Sequence, residues 1–215
     1  MTLTLYTAPT GNGRKPLVFL KLLNIPHELH LFSWPTKDIK QDWYLKLNPQ
    51  GLVPTLVDGE LILPESNAIL QYLAETYDKQ GKFSYNLQTD PLEYWQQQKW
   101  LFYQATQFAG TLFRFNTYIG IKADDGKVWD NILQSFADAY KVIDETLAQS
   151  EWFVGDKFTI VDIAFGVGNH RRIEVVARLG LDKHFQDYDT KYPHVAQWYK
   201  KFLEVEGVKE ALALK

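Results

Sequence analysis

The stretch NPQGLVPTLVDG (Asn48–Gly59), followed by LPESNAILQYLAETY (Leu63–Tyr77), decides how the rest of the chain is read. Asn48-Pro49 closes whatever precedes it, and Val53-Pro54 stands at the head of a strand, where a proline is tolerated and where a cis peptide bond can be locally specified. Asp58-Gly59 lies between two β-type runs, Pro54 to Val57 and Glu60 to Leu63, which is a strong hairpin signal. Pro64-Glu65-Ser66 then opens a helix that carries Ile69, Leu70, Tyr72, Leu73 and Tyr77 on one side. An acid and a hydroxyl at a helix N-terminus sit where backbone amides and the dipole favour a carboxylate ligand. An ordinary cap explains Glu65-Ser66 equally well taken alone. Joined through the hairpin to Val53-Pro54, the pair reads as half of a binding site.

Working outward, Leu3 to Thr7 is a short β-type run ended by Pro9, Gly11 and Gly13. Leu17 to Leu22 follow at helical spacing, so a helix from Pro16 to Leu23 is expected, ended by Asn24 and Pro26. His27 to Phe32 alternates as a second strand, and Trp43 to Leu47 is a helical turn. The order β-α-β-α-β-β-α is an α/β unit. Beyond a polar, turn-rich segment every periodic stretch is helical: Pro91 to Tyr118 (with a break expected near Gly110), Gly126 to Leu147, Thr159 to Arg178, Tyr192 to Leu203 and Val208 to Leu214. The expected organisation is an α/β domain over residues 1–78, a linker over 79–89 and an all-helical domain over 90–215.

The 215 residues are 46% hydrophobic with a net charge of -3, enough apolar material for a sizeable core and no basic field for a polyanion. No nucleic-acid partner is expected. No apolar run nears the roughly 20 residues of a membrane span, and the N-terminus reads as strand and loop, so no membrane partner and a cytoplasmic address are expected. With no cysteine, these residues hold no disulfide, thiolate metal site or cysteine nucleophile.

Several local patterns favour structural readings. Thr159-Ile160-Val161-Asp162 is a capping box with Phe158 and Ile163 placed as a staple. Gly11-Asn12-Gly13 lacks the third glycine of a dinucleotide loop, Pro16 standing in its place, and Gly120 to Lys127 departs from a phosphate loop in both spacing and its final residue. His27, Glu28 and His30 lack metal-ligand spacing, and no metal is expected. His170-Arg171-Arg172, interrupting an apolar helix, reads as a solvated or interface face.

The two opening stretches together resemble the glutathione site of cytosolic glutathione transferases, and WFVGDKFTIVDI (Trp152–Ile163) is similar to the capped core helix of that family's second domain. TAPTGNGRK (Thr7–Lys15) is similar to the Thr-Pro-Asn-Gly turn of fungal transferases related to the yeast nitrogen-catabolite regulator and of bacterial disulfide-bond reductases, with Gly11 in place of their proline. The resemblance implies a thioredoxin-like N-terminal domain, an all-α C-terminal domain, a homodimer and glutathione as co-substrate. It implies that Val53 pairs its backbone with the cysteinyl part beside cis-Pro54, that Glu65 takes the γ-glutamyl amine and Ser66 the carboxylate, and that Lys40 lies near the glycyl end. Asn12, with Thr10 as accessory, would hold the thiolate, and Phe113, Arg114 and Tyr118 would line an apolar electrophile pocket. Conjugation to small hydrophobic electrophiles is the activity implied; disulfide or peroxide reduction, or a non-catalytic regulator retaining the site, are the alternatives.

Overall fold

The computed structural model describes residues 3–120, 126–181 and 184–213. Strand β1 (Thr4–Thr7) lies at the centre of a four-stranded sheet of order β2-β1-β3-β4. It pairs in parallel with β2 (Glu28–Leu31) and antiparallel with β3 (Thr55–Asp58), Leu5 facing Leu56. The β3 strand turns at Gly59 into β4 (Leu61–Pro64). Side chains alternate across the strands. Leu5 and Leu56 are fully buried in the main core with helices α1 (Gly11–Leu23) and α3 (Ser66–Tyr77), while Tyr6 joins Phe32, Ile39 and Tyr44 in a separate cluster. Ile39 and Tyr44 come from a 3-10 turn (Asp38–Lys40) and the short α2 (Asp42–Leu45).

Helix α1 begins at Gly11, a turn and a half before the expected Pro16. Thr10 caps it, its Oγ1 accepting from the Gly13 N–H at 3.0 Å. Three apparent loop residues therefore become the first helical turn, and Pro16 lies inside the helix with no N–H to offer the Asn12 carbonyl. A Cβ on Gly13 would collide with the Ala8 carbonyl and the Thr7 hydroxyl, so this close crossing of β1 and α1 requires glycine.

After Tyr77 the chain turns, and helix α4 (Pro91–Tyr103) begins the helical half. It passes through a π-helical turn (Gln104–Phe108) directly into α5 (Ala109–Gly120). The interruption thus lies before Gly110, which is an ordinary residue of α5. Then come α6 (Gly126–Leu147), α7 (Ile160–Leu179), the short α8 (Tyr188–Lys191), α9 (Pro193–Glu204) and α10 (Val208–Leu212). The 3-10 turn and α8 were not legible because one turn is too short to establish a period. Part of the Gly120–Lys127 stretch, and the final residue of the expected last helix, lie outside the described residues.

Helix α7 is buried almost all round over its first ten residues, as a helix central to an all-α bundle must be. Its capping box forms as the sequence implies: Asp162 accepts from the Thr159 N–H, and also from Phe153 N–H and Trp198 Nε1, tying the preceding loop and α9 to the helix start. Helix α1 packs against both α3 and α7, so one continuous core spans the α/β and helical halves. The result is a thioredoxin-like α/β half joined to an all-α half.

Candidate functional site

Three features of the α/β half carry the expected site residues, and the first two of them line the groove beside α5. The first is the start of α1. Thr10 is held by its own cap and by an N–H bond to the Ala8 carbonyl at 2.7 Å, while Asn12, in the first helical turn, is exposed. An exposed side-chain amide at a helix N-terminus offers two N–H donors beside the positive end of the dipole.

The second is the loop before β3. Val53-Pro54 is cis, as is Trp34-Pro35, which the sequence did not signal. Two side chains pin this loop: the Tyr44 hydroxyl and Asn48 Nδ2 both donate to the Leu52 carbonyl, at 2.7 and 2.9 Å. Gly51 adopts φ 59°, and any Cβ there would strike the Ile39 carbonyl. Lys40 folds over the same turn with Nζ donating to the Gln50 carbonyl at 2.8 Å.

The third is the start of α3. Glu65 has φ 74° and ψ 106°, a rare conformation for a residue with a side chain, and makes no capping bond; strain of this kind collects at ligand clamps. The cap reading of Glu65-Ser66 thus gives way. Ser66 is buried, and its hydroxyl accepts from Lys15 Nζ at 3.2 Å. Lys15 also donates to Asn67 Oδ1 (2.9 Å) and to Gln104 Oε1 (2.8 Å). One turn after Asn12, this lysine ties the start of α1 to the start of α3 and to the π turn of the helical half. Burial lowers its pKa to about 7, against a smaller upward pull from Glu65.

Between the first two features and the helical half lies a cleft of about 530 Å3, whose lining does not include Lys40, Pro54, Glu65 or Ser66. Its walls include Thr10, Asn12 and Val53 on one side and Leu112, Phe113 and Arg171 on the other. Trp34, Leu52 and Arg178 also line it and carry no distinguishing sequence signal. Of the residues expected at this pocket, Phe113 lies in the wall. Arg114 instead bonds to Thr111 Oγ1 at 3.0 Å, and Tyr118 stacks on Trp129 of α6. Neither joins the cleft lining; on α5 the neighbouring Leu112 and Asn116 do.

Of the solvated or interface reading of His170-Arg171-Arg172, the interface part holds, because His170 and Arg171 meet Arg14 of α1 at Glu174. Glu174 accepts from Arg14 at 2.7 Å and from Arg171 at 3.1 Å, and His170 approaches it at 3.5 Å. Burial alone would raise the Glu174 pKa, but hydrogen bonds from His170, Arg14 and Arg171 outweigh it and hold the group at about 2. Arg172 is buried elsewhere in the helical half. His27 Nδ1 lies 2.7 Å from the Ile25 carbonyl and His30 sits among Tyr6, Phe32 and Trp43; the described residues contain no group of three potential metal ligands.

Residues 5–81 match the family model for the glutathione S-transferase N-terminal domain, and residues 115–206 match that for the C-terminal domain. The chain is 31% identical over 228 residues to the glutathione S-transferase-like protein OpS6 of Beauveria bassiana (strain ARSEF 2860), covering 98% of this chain and 94% of that protein. A glutathione S-transferase-like protein from Lodderomyces elongisporus superposes with TM-score 0.92 at 48% identity, covering 100% of this chain and 96% of the other. A glutathione transferase homologue from the same organism, solved with two glutathione molecules per subunit, superposes with TM-score 0.84 at 30% identity, with 99% and 98% covered.

Proposed function

The chain belongs to the glutathione S-transferase family, and from that premise we propose that it conjugates glutathione to small hydrophobic electrophiles by stabilising the glutathione thiolate at Asn12. The observation that carries this reading is the convergence of Asn12, Val53 and an apolar wall on one cleft, with Lys15 joining the α1 start to Ser66. In this reading the Val53 backbone meets the cysteinyl part of glutathione beside Pro54. Glu65 takes the γ-glutamyl amine and Ser66 the adjoining carboxylate, while Lys40 serves the glycyl end. That arrangement aims the sulfur at the start of α1.

A free thiol has a pKa near 8.5, and lowering it by one unit requires about 1.4 kcal/mol of preferential stabilisation of the anion. The Asn12 amide, the Thr10 O–H and the dipole of α1 supply donors without taking the proton, which passes to solvent. The thiolate sulfur then bonds to the electrophilic carbon and the leaving group departs with its electron pair. Leu112 and Phe113 hold the electrophile near the sulfur, and proximity supplies much of the rate. The Thr7–Lys15 turn supports a place in the nitrogen-regulator-like class, and we assign a cytoplasmic address with it. Domains are taken as residues 1–78 and 90–215 around a 79–89 linker. A homodimer is supported by the apolar outer face of α4, where Leu92, Trp95 and Phe102 are exposed.

A second reading, glutathione-dependent disulfide reduction, is favoured by one feature: Arg171 and Arg178 line the cleft and match the carboxylates of a second glutathione. The homologue with two glutathione molecules per subunit is consistent with such a site. One glutathione thiolate would attack the disulfide and expel a thiolate; the second would attack the mixed disulfide, yielding glutathione disulfide and the other thiol.

The test is glutathione turnover with 1-chloro-2,4-dinitrobenzene and with 2-hydroxyethyl disulfide, for the wild type and Asn12→Ala. The expected outcome is conjugation in the wild type and a loss of at least about tenfold in kcat/KM in the variant, with unchanged circular dichroism, the scale of one lost donor to the sulfur. Wild-type turnover in Asn12→Ala removes Asn12 from the mechanism. Absence of any calorimetric response to millimolar glutathione removes the whole reading.

A further inference from the structure

Among the described residues lining the cleft, the charged side chains are two arginines of α7, Arg171 and Arg178, and no carboxylate joins them. Seven residues apart, they stand two turns apart on one face of the helix, about 10 Å along its axis. Arg171 marks the sulfur end: a Cβ on Gly11 would lie 3.2 Å from the Arg171 Cβ and Cγ, so its stem runs against the residue before Asn12. Arg178 stands at the far end. The two cations differ in their partners. Arg171 donates to Glu174, but that carboxylate also takes Arg14 and is approached by His170, so two guanidinium groups share one negative charge. Arg178 forms no ion pair among the described residues. Trp34, Pro35, Leu52, Leu112 and Phe113 supply apolar surface to the same cleft. The space therefore carries a net positive field against apolar walls, where charge is less screened than on an open surface.

We propose that the preferred second substrate is a carbon electrophile that itself bears a carboxylate, its reactive carbon beside Asn12 and its acid group on Arg178. The inference rests on the conjugation reading and names the substrate class for it. In the disulfide reading these arginines meet the carboxylates of a second glutathione; in conjugation the same charge falls to the electrophile. With a chloronitroarene, the thiolate sulfur bonds to the ring carbon and negative charge passes into the ring beside Arg171. Chloride then leaves with the bonding pair, the thiol proton having already gone to solvent. The acid group takes no part in bond making. Its guanidinium contact, edge-on to the carboxylate, is the same before and during reaction, so Arg178 acts mainly on KM. Because Arg178 is exposed, the effect is modest and sensitive to salt.

The test is kcat/KM of the whole protein for 4-chloro-3,5-dinitrobenzoate and for the uncharged 4-chloro-3,5-dinitrobenzamide, each divided by its uncatalysed rate with glutathione. The wild type is expected to favour the acid by at least about fivefold, mainly in KM, and to lose the preference as salt rises from about 0.02 to about 0.5 M. Arg178→Met is expected to bring the acid-to-amide ratio to about one, Arg178→Lys to keep part of the preference, and Arg178→Glu to invert it. The salt series needs no variant and decides the matter where a variant fails to fold. The ratio is expected to hold constant as glutathione rises past saturation; a collapse there gives Arg178 to a second glutathione and overturns the inference. A wild-type ratio of one, a preference flat with salt, or one that Arg178→Met leaves unchanged overturns it too, while turnover of the amide keeps the conjugation reading standing. Turnover of neither substrate by protein that binds glutathione overturns both.

Discussion

Lys15 shows what a single position contributes. The residue is 1% exposed, its amine lies among three neutral acceptors from two other elements, and burial brings its pKa to about 7. In the unfolded chain the amine keeps its proton to about pH 10.4. Between these limits the unfolded state binds the extra proton, so stability attributable to this site rises with pH through that window and is lost as pH falls through 7. The stability of the wild type relative to Lys15→Met, from urea denaturation, is expected to grow between pH 7 and 9.5 by up to about 1.4 kcal/mol per unit. A difference flat with pH would show that the amine stays charged when folded. Nothing in Gly11-Asn12-Gly13-Arg14-Lys15 marks this lysine: a cation after a glycine turn reads as surface, and only the approach of α3 and the π turn buries it.

Among the elements, α7 and the α4–α5 pair behave differently. The start of α7 is legible because a capping box is a local contract between residues three apart. Thr159→Ala removes one acceptor and is expected to cost about 1–2 kcal/mol. Asp162→Ala is expected to cost more, because Phe153 N–H and the Trp198 indole N–H then lose a buried partner, each stranded donor costing about 1–3 kcal/mol. Chemical denaturation of the two variants checks the order; equal losses would mean that Asp162 acts only as a cap. The π turn was misplaced because Gly110 is the weakest helix former nearby, whereas the interruption comes at Gln104. That side chain is fully buried, accepts from Lys15 and Asn67 and donates to the Ala164 carbonyl at 3.2 Å. Its hydrogen bonds reach three other helices, information no local window carries.

At the scale of the whole molecule, the surface matters as much as the cleft. Leu92, Trp95 and Phe102 are 68%, 61% and 69% exposed at helical spacing on α4, and Leu61 and Ile62 are exposed on the edge strand β4. Apolar residues grouped in this way mark association surfaces. The proposed homodimer predicts that Trp95→Glu combined with Phe102→Glu halves the mass measured by light scattering while helical content is retained. A wild type that already runs at monomer mass would remove the dimer. The Trp residues of the long helix thus divide: Trp100 packs in the core, and Trp95 does not.

The amino-acid order alone determined the alternation of strand and helix, the hairpin at Asp58-Gly59, the capped start of α7 and the two-part family pattern. Each of these is a short-range agreement between neighbouring residues. Tertiary structure alone decided that α1 starts at Gly11, that Phe113 faces the cleft while Arg114 and Tyr118 turn away, and that Arg171 lines the cleft while Arg172 is buried. Those outcomes depend on which elements pack against which face. A helix displays side chains in every direction, and only its neighbours determine which direction is a pocket, which is a core and which is water.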